Sequence, residues 1–159
     1  MNFSKWQITS LVLLRVLVGW HFAYEGIVKV FDPHWTAGMY LRDSQGCFRD
    51  MFLWIANNDA VLQCVDFINV AGLLLIGISL MIGMFSKWAS IGGMVMLAMF
   101  YMSHPSYIGV AYMMPMEGNY LWIDKNIIEM AALLVLAVFP SSHVIGIDRF
   151  LKKYISKFI

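Results

Sequence analysis

Four ionisable side chains interrupt the first apolar stretch of this sequence, which runs from about Trp6 to Val30. They are Arg15, His21, Glu25 and Lys29. An ionisable side chain inside a membrane helix costs roughly 2.5–3.5 kcal/mol on insertion scales, so such residues usually face a protein interior or a wet cavity. We therefore expect this helix to form one wall of a polar site inside a small bundle.

The spacing of these residues indicates how the wall is built. His21, Glu25 and Lys29 are separated by four positions each, which places them on one stripe of a helix. The adjacent stripe carries Gly19 and Gly26 and favours a close approach by another helix. A carboxylate at this depth needs a cation or several donors. The local candidates are the pairs Glu25–Lys29 and Glu129–Lys125, and Arg15 is expected to reach a partner on the fourth helix.

The composition is that of a membrane protein. The chain has 159 residues, of which 60% are hydrophobic and 13% charged, and its mean hydropathy is +0.70. A soluble domain is nearer 45–50% apolar and about 25% charged. The length fits one domain, and the net charge of +1 without a basic cluster argues against nucleic-acid binding.

Four apolar windows are long enough to suggest membrane spans, at about residues 6–30, 66–85, 88–104 and 126–139. Pro105 and Pro140 end the last two. Only Ser86 and Lys87 separate the second window from the third, so these helices must be antiparallel neighbours. The sequence therefore predicts an all-α bundle of four transmembrane helices.

Basic residues predict the orientation of this bundle. With both termini in the cytoplasm, six Lys and Arg residues lie inside and three lie outside. The tail, residues 146–159, is then a basic amphipathic segment on the inner leaflet. The loops 31–65 and 103–125 lie outside, where Phe48–Ile55 is apolar enough to form a short helix on the membrane or over the bundle.

This orientation brings polar residues from all four helices to the outer half of the bundle. A ligand or redox pocket and a salt-bridged seam that fixes helix register both explain such a pattern. His21 and His104 are weak candidates for haem or metal ligands, because neither lies in a CxxC or HxxxH motif. The candidate pocket residues are Arg15, His21, Glu25, Lys29, Asp66, Asn69, Tyr101, His104, Asn126 and Glu129.

Two cysteines, Cys47 and Cys64, fall in the long outer loop. In an oxidising compartment they could form a disulfide that closes the loop and stabilises it by about 3 kcal/mol. Free thiols and a redox-active pair are the alternatives, although membrane thiol oxidoreductases typically use CxxC.

Three stretches of the chain resemble the DoxX/DoxD family of small four-helix bacterial membrane proteins. Leu14–Lys29 is similar to the family's opening, which has an Arg, a Gly, an aromatic residue and then an (E/H)G-x-x-K element. Gly72–Gly83 is similar to its Gly-rich second helix. The third stretch resembles the family's EGNY…KN-x-x-E element and consists of Glu117–Tyr120 and Asp124–Glu129. In this chain, as in the family pattern, a proline and then Gly146–Arg149 follow it. The positions that match are Arg15, Glu25, Gly26, Lys29, Asn126, Glu129 and Asp148.

The resemblance implies a multi-pass protein of the bacterial inner membrane, related to the large subunit of thiosulfate:quinone oxidoreductase. Quinone is then the expected cofactor and a second subunit the expected partner, while no haem, flavin or metal signature is visible. The alternative is a non-enzymatic accessory or scaffold protein of the envelope. Either would be expected to form homo-oligomers through small-residue faces such as Gly72/Gly77 or Gly92/Gly93.

Overall fold

The computed structural model describes residues 4–107, 109–113 and 121–155, with side chains to residue 151, and every regular element in these ranges is helical. This confirms the predicted all-α class. The helices are α1 (Lys5–Phe31), α2 (Gly38–Arg42), α3 (Arg49–Ala56), α4 (Asp59–Ile82), α5 (Ser86–Ser103), α6 (Lys125–Val138) and α7 (Asp148–Ile155), with a 3-10 turn at Ser141–His143.

In the described part of the chain, α1 and α4 are long and apolar enough to cross a membrane. Their 27 and 24 residues extend about 40 and 36 Å. Only 33% and 17% of their most apolar windows are buried within the chain, so they differ from the core helices of a soluble protein. The helices α5 and α6 have 18 and 14 residues and are shorter than the ~20 that a span usually needs. Two apolar helices thus fit a membrane protein, and the four-span topology stays a prediction.

The second long helix begins earlier than the sequence predicts. Asn58 caps α4 by accepting a hydrogen bond from the backbone of Val61, so the helix starts at Asp59. Asp66 and Asn69 were expected in its first turn and instead lie about two and three turns inside it. Cys64 also belongs to α4 and not to the loop. The helix ends where predicted to within a few residues, at Gly83, whose φ of 71° is the left-handed conformation that favours glycine.

The four long helices pack in two pairs, α1 against α4 and α5 against α6, and α4 joins the pairs by also packing against α5. The closest approach is at Gly77, where an added Cβ would collide with the backbone of Ala23. Gly19 and Gly26 face α4 in the same interface, as their shared stripe predicts. The core between the pairs includes Phe22, Leu73, Leu80, Leu97, Leu133 and Leu136.

The predicted long outer loop is largely folded. Its helices α2 and α3 form a small second core from Ala37, Leu41, Phe52 and Ala56, which Leu62 of α4 and Met102 of α5 also contact. The short helix expected at Phe48–Ile55 is confirmed as α3. We call residues 32–58 the cap, and the end of the bundle on which they lie the cap end.

Candidate functional site

A cavity of about 570 Å³ lies at the cap end of the bundle. Its apolar floor is the top of the core, at Phe22, Leu73 and Leu97, and its walls come from α1, α4, α5, α6 and the cap. Small-molecule sites typically measure 300–1,000 Å³. The structure therefore encloses a space of ligand size where the sequence predicts the polar residues to meet.

Seven of the ten candidate pocket residues line this cavity. Their side chains come from four different helices or helix ends, which sequence spacing alone could not bring together. They are His21, Glu25, Lys29, Asn69, His104, Asn126 and Glu129.

An ion pair crosses the cavity wall between α1 and α6. His21 Nδ1 lies 2.8 Å from Glu129 Oε1, and the side chains are 43% and 11% exposed. The sequence favoured Lys125 as the partner of Glu129. The structure instead pairs it with His21, because α1 carries that ring to the first turns of α6. The more buried partner is thus the carboxylate, whose charge depends on the histidine for compensation.

A second ion pair lies higher on the same stripe of α1. Lys29 Nζ is 2.8 Å from Glu25 Oε2 and also donates to the Glu25 carbonyl at 3.3 Å, which confirms the predicted local pair. The ammonium also lies 5.5 Å from the centre of the Trp35 ring, within the range of a cation–π contact. Trp35 is a cap residue, so this contact joins α1 to the cap.

His104 is held in a stack of aromatic rings beneath the cap. Its ring centroid lies 3.8 Å from that of Tyr40 and 4.7 Å from that of Tyr112. The Tyr40 hydroxyl donates to the Phe100 carbonyl at 3.1 Å, and the Tyr112 hydroxyl donates to the Pro105 carbonyl at 2.7 Å. Burial raises the pKa of Tyr40 well above its ordinary value and that of Tyr112 to about 12. Tyrosine is protonated at neutral pH even at its ordinary pKa, so both hydroxyls act as donors in these hydrogen bonds.

The amides of the cavity wall differ in their hydrogen bonding. Asp124 caps α6 by accepting from the backbone of Ile127 at 3.0 Å, and its other oxygen accepts from Asn126 Nδ2 at 2.8 Å. Asn126 is therefore already engaged. Asn69 Oδ1, on α4, is buried without a hydrogen-bond partner among the described residues.

The other three candidates lie outside the cavity. Asp66 accepts hydrogen bonds from the Thr36 hydroxyl and the Ala37 backbone, both at 2.8 Å, and so ties the start of the cap to α4. Tyr101 donates to the Trp122 carbonyl at 2.9 Å. Both connect elements at the cap end, so their polarity has a structural explanation.

Arg15 lies near the opposite end of the bundle, close to the turn between α4 and α5. It donates to the Ser141 hydroxyl at 3.3 Å and to the Ile145 carbonyl at 2.8 Å. The expectation that it helps to form the pocket is not met, because α1 carries it well over one turn below His21. Its two hydrogen-bond partners come just after the end of α6 in the sequence, where the chain turns back beneath the bundle.

Sequence reasoning missed several cavity residues. Trp35 and Tyr40 fell in the predicted outer loop and were not among the candidate residues, since no spacing rule predicts which loop residues reach the cavity. The position of Asp124 could have been predicted from the sequence, because an Asp immediately before a helix is a typical N-cap. Part of the matched EGNY element, Glu117–Tyr120, lies outside the described residues.

Cys47 and Cys64 are free, exposed thiols in the structure, one in the cap and one in α4. The disulfide considered for them is not formed. Among the described residues, no group of three or more His, Cys, Asp or Glu side chains is arranged to hold a metal ion.

Comparison with known proteins gives no assignment: no family model, no curated protein and no solved structure matches this chain.

Proposed function

We propose that this chain is a multi-pass protein of the bacterial inner membrane in which α1, α4, α5 and α6 form the membrane domain and the cap lies outside. The exposed faces of these helices support the proposal. Each of the four helices carries large apolar side chains that are more than half exposed. They are Leu17 and Trp20 of α1, Leu75 of α4, Val95 of α5 and Leu134 of α6. So large an exposed apolar surface is unfavourable in water and suits a lipid environment.

The cavity at the cap end binds a membrane-soluble ring compound of the quinone type. The observation that carries this proposal is the combination of an apolar floor with an aromatic wall and hydrogen-bonding groups in one space of about 570 Å³. Trp35, Tyr40 and Phe100 supply the aromatic wall. A quinone head group is a flat ring with oxygen atoms on opposite edges, so it needs apolar contact on its faces and polar contact at its ends.

The charges around the cavity favour a neutral ligand. Four carboxylates line it, Glu25, Asp32, Asp124 and Glu129, against the ammonium groups of two lysines and the histidine paired with Glu129. A dianion such as thiosulfate would meet net repulsion there. Arg15, one of the candidate pocket residues, lies near the other end of the bundle and cannot offset this charge. The charges around the cavity therefore support binding of a quinone better than binding of thiosulfate.

The redox role implied by the DoxX resemblance is a further part of this proposal. The chain would serve as the quinone-associated subunit of a thiosulfate:quinone oxidoreductase type of complex, and a partner subunit would supply or accept the electrons. His21 and Glu129 form the acid–base pair on the cavity wall that could exchange protons with the ligand.

Ligand extraction and binding test the proposal together. Protein purified from membranes in mild detergent is extracted with organic solvent and the extract is analysed for quinones by chromatography and mass spectrometry. Binding of added decylubiquinone is then measured by calorimetry. We expect co-purified quinone and saturable binding. A folded protein that yields no quinone and binds no decylubiquinone would contradict the proposal.

A pair of tryptophan variants locates the binding. Trp35→Leu removes an aromatic ring from the cavity wall and should weaken decylubiquinone binding roughly threefold to tenfold, the value of one aromatic contact. Trp54→Leu is the matched control, because Trp54 lies in the same cap but is 60% exposed and does not line the cavity. Equal affinities in the two variants would place the ligand elsewhere.

A further inference from the structure

The end of the bundle opposite the cap combines exposed apolar side chains with exposed cations. We call this end the base; it comprises the turn between α4 and α5, the first turn of α5 and residues 141–155. Single exposed apolar residues are ordinary on a protein surface, but a cluster of them indicates a contact surface. On the base the exposed apolar residues lie on two adjoining segments and include Phe85, Trp88, Ile145, Ile147 and Phe150.

The charge of the base is positive and has little compensation. Lys87 and Arg149 are exposed there. Among residues 67–116 and 130–159, which include the whole base, Asp148 is the only Asp or Glu. Its carboxylate already accepts two backbone hydrogen bonds from the turn between α4 and α5. The base therefore attracts anions, in contrast to the cap end with its many carboxylates.

Hydrogen bonds fix the start of α7 against the end of α4. The backbone of Ile147 donates to the Ile82 carbonyl at 3.2 Å, and the backbone of Asp148 donates to the Gly83 carbonyl at 2.9 Å. α7 therefore starts at the level where α4 ends. In the proposed arrangement of the bundle, this level is the membrane surface.

The residue types of α7 follow the pattern of a helix that lies at a membrane surface. Lys152 and Lys153 come three and four positions after Arg149, so the three positions share one face of the helix. Phe150 falls outside this face and is 66% exposed. An acidic protein surface would match the cations alone. A layer of anionic phospholipids matches both sets of residues, because it offers phosphate groups beside acyl chains.

We propose that the base binds anionic phospholipids, with α7 at the level of their phosphate groups and Phe150 among their acyl chains. This inference rests on the membrane placement in the proposed function and is independent of the ligand in the cavity. The sequence predicts a basic amphipathic tail on the inner leaflet. The structure adds that the tail is joined to the turn between α4 and α5, so that lipid bound by α7 also holds this turn.

Hydrogen exchange of the full chain in lipid nanodiscs tests the inference. Wild-type protein is compared in discs of phosphatidylcholine and in discs with an equal amount of phosphatidylglycerol added. Each Lys or Arg near an anionic surface contributes about fivefold to a binding equilibrium. We therefore expect the amides of α7 to exchange at least about fivefold more slowly in the anionic discs. High salt should reduce this difference, because it screens the charges.

A charge-neutralising variant and a matched control locate the effect. The variant with Arg149→Gln, Lys152→Gln and Lys153→Gln should show α7 exchange that is nearly equal in the two kinds of disc. The control with Arg42→Gln and Arg49→Gln removes exposed cations of the cap and should keep the wild-type difference. Because each ratio is taken within one protein, a change in stability affects both discs alike.

Each result decides the inference. Equal exchange of α7 in both discs for the wild type, or a preserved difference in the α7 variant, would overturn it. Decylubiquinone binding measured in the same discs keeps the two proposals apart, since intact binding without the effect of anionic lipid leaves the proposed cavity ligand standing. A chain that does not enter the discs would contradict the membrane placement on which both proposals rest.

Discussion

At the scale of single residues, the ion pair of His21 and Glu129 joins α1 to α6, although each of these helices packs mainly against a different helix. α1 packs chiefly against α4, and α6 packs chiefly against α5. The pair is asymmetric, because His21 is much more exposed than Glu129. Loss of the histidine therefore leaves a largely buried carboxylate without its partner, whereas loss of the carboxylate leaves a histidine that solvent or lipid head groups can reach.

We predict that His21→Phe destabilises the protein more than Glu129→Gln. An unsatisfied buried group costs about 1–3 kcal/mol, and the exposure of His21 places the expected cost at the lower end. A double-mutant cycle on the free energy of unfolding should give a coupling of about 0.5–2 kcal/mol. Additive effects of the two substitutions would show that the 2.8 Å contact contributes nothing measurable.

The residues of α1 show what the sequence could predict at this scale. The stripe of His21, Glu25 and Lys29 follows from helical spacing, and so does the Glu25–Lys29 pair. The partner of His21 could not be predicted, since it depends on the register between α1 and α6. That register is set by core contacts such as Phe22 and Leu133, both close to Gly93.

At the scale of elements, the helices approach one another through glycines that differ sharply in how tightly they are packed. A Cβ on Gly77 would collide with the α1 backbone at Ala23, which cannot move aside as a side chain can. A Cβ on Gly92 would only meet Ile76 at 3.7 Å, an ordinary contact. The sequence predicted both as faces for oligomers. In the structure both face neighbouring helices of the same chain.

We predict that Gly77→Ala lowers the free energy of unfolding by about 1–3 kcal/mol, because α1 and α4 must separate. Gly92→Ala should be neutral or stabilising by up to about 1 kcal/mol, since alanine favours the helix. Thermal denaturation of the two purified variants measures the difference. Similar melting temperatures would mean that α1 and α4 are not packed as closely as described.

The turn between α4 and α5 is fixed by a residue more than 60 positions away. The Asp148 carboxylate accepts from the backbone of Phe85 at 2.7 Å and of Ser86 at 3.2 Å, which caps the start of α5. Gly83 and Gly146 make this possible, because a side chain on either would collide with the other segment. The residue types at Gly146 and Asp148 therefore have a structural explanation.

Removal of this cap should be measurable. We predict that Asp148→Ala destabilises the protein by about 1 kcal/mol or more, as expected for the loss of an N-cap. Asp59→Ala is the control, because Asn58 already caps α4 and Asp59 is exposed. If chemical denaturation gives equal losses for the two variants, the Asp148 cap does not stabilise the turn.

At the scale of the whole molecule, the sequence predicted the helical class and where the polar residues gather, because both follow from periodicity and from the cost of charges in an apolar helix. The shape of the cap could not be predicted. Its fold depends on long-range contacts, such as those of Asp66 with Thr36 and Ala37 and of Ser44 with the Ser103 carbonyl. The cap is also what turns a groove between helices into a cavity.

The orientation of the molecule can be tested with its own cysteines. Cys47 and Cys64 are both exposed near the cap, and neither is engaged in a disulfide. If the cap lies outside the inner membrane, a membrane-impermeant maleimide should label them in intact spheroplasts. The same reagent should label Lys87→Cys, in a background with both native cysteines replaced by serine, only after permeabilisation, because residue 87 lies in the first turn of α5 at the opposite end of the bundle. The reverse pattern would show that the cap faces the cytoplasm. Labelling of the native thiols only after reduction would instead show that they are oxidised in the cell.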